Sequence, residues 1–309
     1  FYAGGDDVMA MVTVKDLLPC IYALRMAYSG VAPAEATILG KQFVNLEKLH
    51  LGGGHAFLDG HLYRTMGHKA TASVGAVIAH STAPLQHVLT EVRAMEGRAK
   101  ASTNKNGESR DAFAIKVIKR AGGAVSMNGK WLLEDQVWGN VQDFDVHLKD
   151  ETLKGDSSKP QPQLFQIETT RMGLLMQLSR LFSVEGELSR KLAYVVQDWL
   201  PQLPQLDAES KSDACIQFAE QVRSMLAYQV KRQKLKEKDN NPLTQPAEIA
   251  KKLLAVAGVE FGEQDQVTGA PYDFADRLND TLSVIEFIGR QERQVTPTSK
   301  ANTQQEDKV

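Results

Sequence analysis

Cysteine is nearly missing from this chain of 309 residues, which has only Cys20 and Cys215. Two such distant thiols cannot make a disulfide framework, so a reducing, cytoplasmic setting is expected. Long apolar runs are missing as well. A spanning helix needs about 18 or more consecutive apolar residues, and the sequence offers none; no leader-like segment stands before the first strand either. Nor is one sign of charge in excess. The 36 Lys and Arg face 38 Asp and Glu for a net charge of −2, which excludes a uniformly basic nucleic-acid binder and leaves room for a local basic face. A Gly-x-x-x-x-Gly-Lys-Ser/Thr phosphate loop is absent, and no Ser-His-Asp or Cys-His arrangement stands out. The length allows two domains with sizeable cores, and no internal repeat is evident.

What is there begins at once. In Phe1 to Val12, apolar residues flank a Gly4-Gly5-Asp6-Asp7 centre, which reads as strand, tight turn and strand. Glycine supplies the positive φ that a two-residue hairpin asks for, and Asp is tolerated beside it. Two adjacent carboxylates at a stiff tip repel each other, and a divalent cation with hard oxygen ligands relieves that repulsion. Mg²⁺ held by one or two carboxylates and substrate phosphates is the polymerase arrangement. An ordinary hairpin with solvated aspartates accounts for the same four residues.

The following hundred residues distinguish the two readings. A second strand over Thr71–His80 leads into a Pro84-initiated helix with Leu85, Val88, Leu89, Val92 and Met95 on one face and Arg93, Arg98 and Lys100 towards its end. A third strand follows over Ala112–Arg120. The Gly-Gly-Asp-Asp hairpin, the Ser73-x-Gly75 strand running into Ile78-Ala79-His80, and the Ala114-Ile115-x-x-x-Lys119-Arg120 strand together resemble the palm domain of nucleotidyl cyclases and polymerases. In detail they look like the second palm of the large subunit of type III CRISPR effector complexes, most like the type III-B (Cmr) form. The resemblance covers roughly residues 1 to 125.

It implies an α+β chain: a ferredoxin-like palm, an antiparallel sheet with helices that is incomplete at its start, then an all-α helical bundle. It implies target-RNA-activated synthesis of cyclic oligoadenylates from ATP for antiviral defence. Asp6 and Asp7 would be the catalytic residues and the ligands of Mg²⁺ or Mn²⁺. Gly4 and Gly5 would admit the nucleotide closely, with Ser73 and Lys100 contacting it. CRISPR RNA, target RNA and the other subunits, the small subunit included, would be the partners, and no membrane. Because Phe1 lies inside a hairpin, the chain is expected to be the C-terminal part of a longer protein whose earlier part would hold an HD nuclease, a first palm and the opening strand of this one. Alone it is expected to make no product, since two-metal catalysis draws carboxylates from more than one strand. A catalytically inactive scaffold of a ribonucleoprotein is the alternative, though degenerate palms tend to lose the acidic pair. A cyclic-dinucleotide synthase of the Gly-Gly-Asp-Glu-Phe type ranks last, because Asp7-Val8 stands where that family carries Glu-Phe.

The remaining pattern sets expectations for the fold. Val8–Val14 reads as a strand buried on both faces. Asp16 reads as a helix N-cap, with Pro19 in the first turn and Leu17, Ile21, Leu24 and Tyr28 on the buried face. A short helix is expected from Pro33 to about Leu49 and a long loop from Leu51 to Gly67. The loop histidines His50, His55, His61 and His68 do not match a zinc pattern, and His80 closes a strand. Phe113, Ile115 and Val117 alternate as in a half-solvated strand. Gly122-Gly123 and Asn128-Gly129 suggest turns leading to Trp131 and Trp138, which read as apolar anchors before base-stacking platforms. The domains then run 1–149 for the palm, 150–163 for a polar linker, 164–292 for about five helices, and 293–309 for a disordered tail. The basic run from Lys231 to Lys238 reads as a solvated helix end before a nucleic-acid contact.

Overall fold

A computed structural model describes residues 2–4, 7–30, 37–38, 41–42, 49–52, 54–67, 69–103, 107, 109–133, 170–183, 186–204, 206–207, 209–210, 212–234, 245–260 and 273–292. The expected linker, Trp138, His68, the end of the basic run and the tail lie outside these residues.

Strands β1 (Tyr2–Gly4) and β2 (Asp7–Met9) form an antiparallel hairpin that pairs with no other described strand. The expected buried strand over Val8–Val14 is therefore corrected: Val8 is 51% and Met11 88% exposed. Helix α1 (Val14–Ser29) claims Val14 instead. Its N-cap is Thr13, whose Oγ1 donates to Asp16 Oδ2 at 2.6 Å while the Asp16 N–H donates back to the Thr13 carbonyl at 3.1 Å. Asp16 thus completes the first turn as the acidic partner of the cap, and Pro19 falls inside the helix.

The buried face of α1 is Leu18, Ile21, Tyr22, Arg25, Met26 and Ser29. This is an unbroken i, i+3, i+4 stripe, rotated from the expected one, and it leaves Leu24 43% exposed. Two polar residues hold places in it. The fully buried Arg25 side chain donates through Nε to Asp111 Oδ1 at 3.0 Å and through Nη2 to the Ala70 carbonyl at 3.2 Å, and its Nη1 donates to Ser29 Oγ. Burial pushes the guanidinium pKa down and Asp111 pushes it back up, as expected for a desolvated charge beside its counter-ion.

Past Gly30, the expected short helix is corrected where it is described: β3 (Thr37–Ile38) and β4 (Lys41–Gln42) pair antiparallel, in keeping with the extended preference of β-branched Thr37 and Ile38. The expected loop is a meander of β5 (Leu49–Gly52), β6 (His55–Leu58) and β7 (His61–Arg64). Asp59-Gly60, with φ of 48° and 83°, makes its tight turn, a dipeptide suited to two successive left-handed positions.

The central layer is β8 (Val74–Ile78), α2 (Leu85–Ala101), β9 (Ala112–Ile118) and β10 (Ala124–Lys130), in sheet order β10-β9-β8. Strands β8 and β9 are parallel and β9 and β10 antiparallel, so the sheet is mixed. Two parallel neighbours require a crossover, and α2 is that crossover. Gly122 and Gly123, both at positive φ, turn β9 into β10. Asn128 and Gly129, expected as a turn, lie within β10.

Strand β9 is not half-solvated. Ala112 and Ala114 pack under Met95 and Ala99 of α2, while Phe113, Ile115 and Val117 on the other face join the main core. That core runs on into α3 (Arg171–Leu181), α4 (Lys191–Trp199), α5 (Ser212–Gln233), α6 (Pro246–Ala257) and α7 (Phe274–Glu292). Helix α7 lies on β10 and β9, and α1 touches α3 and α7. The chain is α+β, with a palm-like layer followed by helices, of which α7 packs on the sheet. Each large apolar side chain hidden this way contributes about 1.5–3 kcal/mol.

Candidate functional site

The hairpin register sets Gly4 directly opposite Asp7, so Gly5 and Asp6, outside the described residues, are the two residues between them. Gly4 belongs to β1 and is absent from the positive-φ glycines. Its small size serves another purpose: a Cβ there would stand 2.7 Å from Cζ of Tyr2. The Asp7 side chain is exposed, which suits a carboxylate that meets a ligand from solution.

Lys100 sits in the last turn of α2. Its Nζ pairs with Glu96 Oε1 at 2.6 Å, one turn earlier, with the Lys100 side chain 46% exposed. The Lys100 pKa is raised, first by the hydrogen bond and charge of Glu96, with Asp7 adding to the rise and Arg110 opposing it. The acid of the hairpin and the lysine of the helix are thus within electrostatic reach of each other, although they lie 93 positions apart in sequence (100 − 7).

Ser73 comes next to them by packing. Helix α2 runs back over β8, and a Cβ on Gly75 would approach Glu96 Cα to 2.8 Å. The glycine is required because helix backbone lies directly on strand backbone at that point. Two strand residues span about 6.6 Å and four helical residues about 6 Å. Ser73, the residue before β8, therefore lies towards the Lys100 end of α2. Its Oγ is buried and finds no hydrogen-bond partner among the described residues.

Other candidates resolve as structural. Among the described residues, no group of three His, Cys, Asp or Glu could hold a metal ion; Asp6, the second acid of the pair, is not among those residues. His50 and His55 lie on strands, their register partners being Phe57 and Gly52. The ring of His50 stands 6.2 Å from that of Phe57, and His61 Nδ1 lies 3.0 Å from the Asp59 carbonyl oxygen. His80 Nδ1 is 2.8 Å from Thr82 Oγ1 in the turn after β8. Trp131 is fully buried with its ring centroid 5.4 Å from that of Phe113, an anchor rather than a stacking platform. In the described part of the basic run, Arg232 lies over Tyr228 at 5.7 Å and Lys234 pairs with Glu187 at 3.6 Å.

Sequence reasoning missed Arg25 and Asp111. The signal for Arg25 was its place at i+3 and i+4 from Tyr22 and Ile21 in an otherwise apolar stripe. Asp111 carried none, because its partner is 86 residues away.

Residues 1–109 match the family described as Cas10/Cmr2, second palm domain. No curated protein and no solved structure matches the chain. The family match supports a palm of the cyclase and polymerase type over this stretch. No helix among the described residues is long and apolar enough to cross a membrane.

Proposed function

We propose that this chain carries the nucleotide-joining site of a type III effector large subunit of the Cmr kind, one that makes cyclic oligoadenylates from ATP when target RNA is bound. The observation that carries this reading is the hairpin register that sets Gly4 opposite the exposed Asp7, in a stretch that matches the second palm family.

Asp6 and Asp7 would hold Mg²⁺ or Mn²⁺. The fit rests on the donor set: an exposed Asp7 carboxylate opposite Gly4, with a second carboxylate next to it in the chain. When bound, such cations supply charge neutralisation at the phosphates and a lowered pKa for the attacking hydroxyl. Lys100, kept charged by Glu96, contributes a cation for triphosphate oxygens. Gly4 and Gly5 add no side chain of their own beside the acidic pair, so that phosphate could come near the backbone. The Ser73 hydroxyl, buried as it stands, would reach a phosphate only if the lead-in to β8 shifts. CRISPR RNA, target RNA and the other effector subunits, the small subunit among them, are the partners in this reading, and the cytoplasm is the compartment.

The test uses the full-length large subunit in its assembled complex, supplied with ATP, Mg²⁺ and target RNA, with chromatographic detection of oligoadenylates. Replacing Asp6 and Asp7 together by Ala abolishes product while assembly and RNA binding persist, because an exposed acidic pair at a turn adds little to folding. Product from the double variant would remove these aspartates from the metal site.

A further inference from the structure

The Arg25–Asp111 pair is bonded to the backbone that leads into Ser73 and belongs to the return that follows Lys100. Asp111 Oδ1 accepts from Arg25 Nε at 3.0 Å and from the Ala72 N–H at 3.2 Å. The Ala72 carbonyl in turn accepts from Trp131 Nε1 at 2.8 Å. The peptides on both sides of Ala72 are therefore gripped, by a carboxylate and by an indole, one residue before Ser73. Arg25 also reaches the Ala70 carbonyl at 3.2 Å, which secures the same lead-in two residues earlier.

On the other side, Asp111 ends the return from α2 to β9. It and Arg110 both hold left-handed backbone, with φ of 48° and 65°, a conformation uncommon for residues other than glycine and one that surroundings must enforce. The Arg110 N–H donates to the Lys100 carbonyl at 3.1 Å, and the Trp131 N–H donates to the Asp111 carbonyl at 3.3 Å. One carboxylate thus joins the approach to Ser73 with the exit from Lys100. Arg25 is the fully buried cation that holds that carboxylate in place. A buried pair of this kind is weak evidence for stability and better suited to fixing a geometry.

We propose that Arg25 and Asp111, with the Trp131 indole, are positioning residues that set the lead-in to Ser73 and the return after Lys100 for the triphosphate of the substrate. The proposal rests on the nucleotide-joining reading and adds to it three residues that do not touch the nucleotide. None of them removes a metal ligand, so their loss acts on ATP affinity before it acts on turnover.

The experiment measures KM and kcat for oligoadenylate formation in the assembled complex, the affinity for a fluorescent ATP analogue, and amide exchange at residues 72–74 and 110. Asp111→Ala and Arg25→Met are expected to raise KM and weaken analogue binding about tenfold, with kcat per assembled complex within about threefold. Amide exchange at 72–74 and 110 quickens in both. Asp111→Asn keeps an acceptor for the Ala72 N–H and recovers most of the affinity. Trp131→Phe keeps the ring in its core site and removes only the indole donor. It is expected to raise KM about threefold, which keeps the question answerable if an Arg25 or Asp111 variant does not assemble. The proposal is overturned if amide 72 is released in Asp111→Ala, or exchange over 72–74 quickens in Trp131→Phe, while KM and analogue affinity stay at the wild-type value, or if kcat falls with KM unchanged. A wild-type complex that neither binds ATP nor makes product overturns the nucleotide-joining reading itself. That outcome appears in the wild type, whereas failure of the positioning role appears only in the variants.

Discussion

Arg171 lies across Gly129, its Cδ 2.6 Å from where a Cβ on that glycine would stand. The guanidinium is held by Glu260 at 2.8 Å and by the Ala255 carbonyl at 3.1 Å, so the stem over the glycine cannot move aside freely. Gly129→Ala is expected to cost about 1–3 kcal/mol of stability, as for other overpacked sites. Gly75→Ala should lie at or above the top of that range, because the neighbouring atoms are α2 backbone at Met95 and Glu96. Urea unfolding of the two variants beside the wild type measures both. A Gly129→Ala midpoint equal to that of the wild type would show that Arg171 yields easily.

Lys100 has a sharper prediction attached to it than its position on a helix end suggests. If its charge meets the triphosphate, Lys100→Ala loses a charge-assisted contact of about 1.5–3 kcal/mol, a rise in KM for ATP of about 10- to 100-fold. The helix should remain intact, since an exposed i, i+4 pair with Glu96 contributes only about 0.3–0.5 kcal/mol. Steady-state kinetics with a parallel thermal melt separates the two effects. A KM within twofold of wild type would return Lys100 to the role of a helix-terminal cation.

Two carboxylates should move stability with pH in opposite senses. Asp280 on α7 has its pKa raised, chiefly by burial, with Arg98 and Lys119 opposing the rise and Asp276 adding to it. Ionising it therefore costs the folded state more than the unfolded one, a penalty absent in acid that grows as pH rises from the ordinary carboxylate value and is complete above the raised folded value. Asp280→Asn is expected to raise Tm at pH 7 and to match the wild type in acid. Glu91 has its pKa lowered, first by the hydrogen bond from Lys116 at 2.6 Å. Its contribution is present above the ordinary carboxylate value and is lost as pH falls through the lowered folded value. Glu91→Gln should lower Tm at pH 7 and converge with the wild type in acid. Melts of both variants across that range decide the matter, and Tm differences independent of pH would contradict it.

The helices α3 to α7 were legible because each repeats apolar residues at helical spacing over two turns or more. The strand–helix–strand order around α2 was legible too, but its consequence, a parallel β8–β9 pair, was left out of an expectation of a wholly antiparallel sheet. The meander was missed because glycines at 52 to 54 drew attention from Asp59-Gly60, the dipeptide that forms the turn. The buried face of α1 was misplaced because Arg25 and Ser29 look like surface residues until Asp111 is in place beside them. At the site, the sequence pointed to the hairpin and to Lys100 one motif at a time. That Ser73 lies towards the Lys100 end of α2 follows only from Gly75 seating α2 on β8, a relation between backbones that no residue spacing records.

Strand β9 finally amounts to a party wall. One side of it belongs to α2 and carries Ala112 and Ala114, while Phe113, Ile115 and Val117 on the other belong to the helical half. Stripping the helices away would leave three large apolar side chains facing water on a three-stranded sheet, an invitation to aggregation. The described sheet and the helices packed on it should therefore melt together, in one event rather than two.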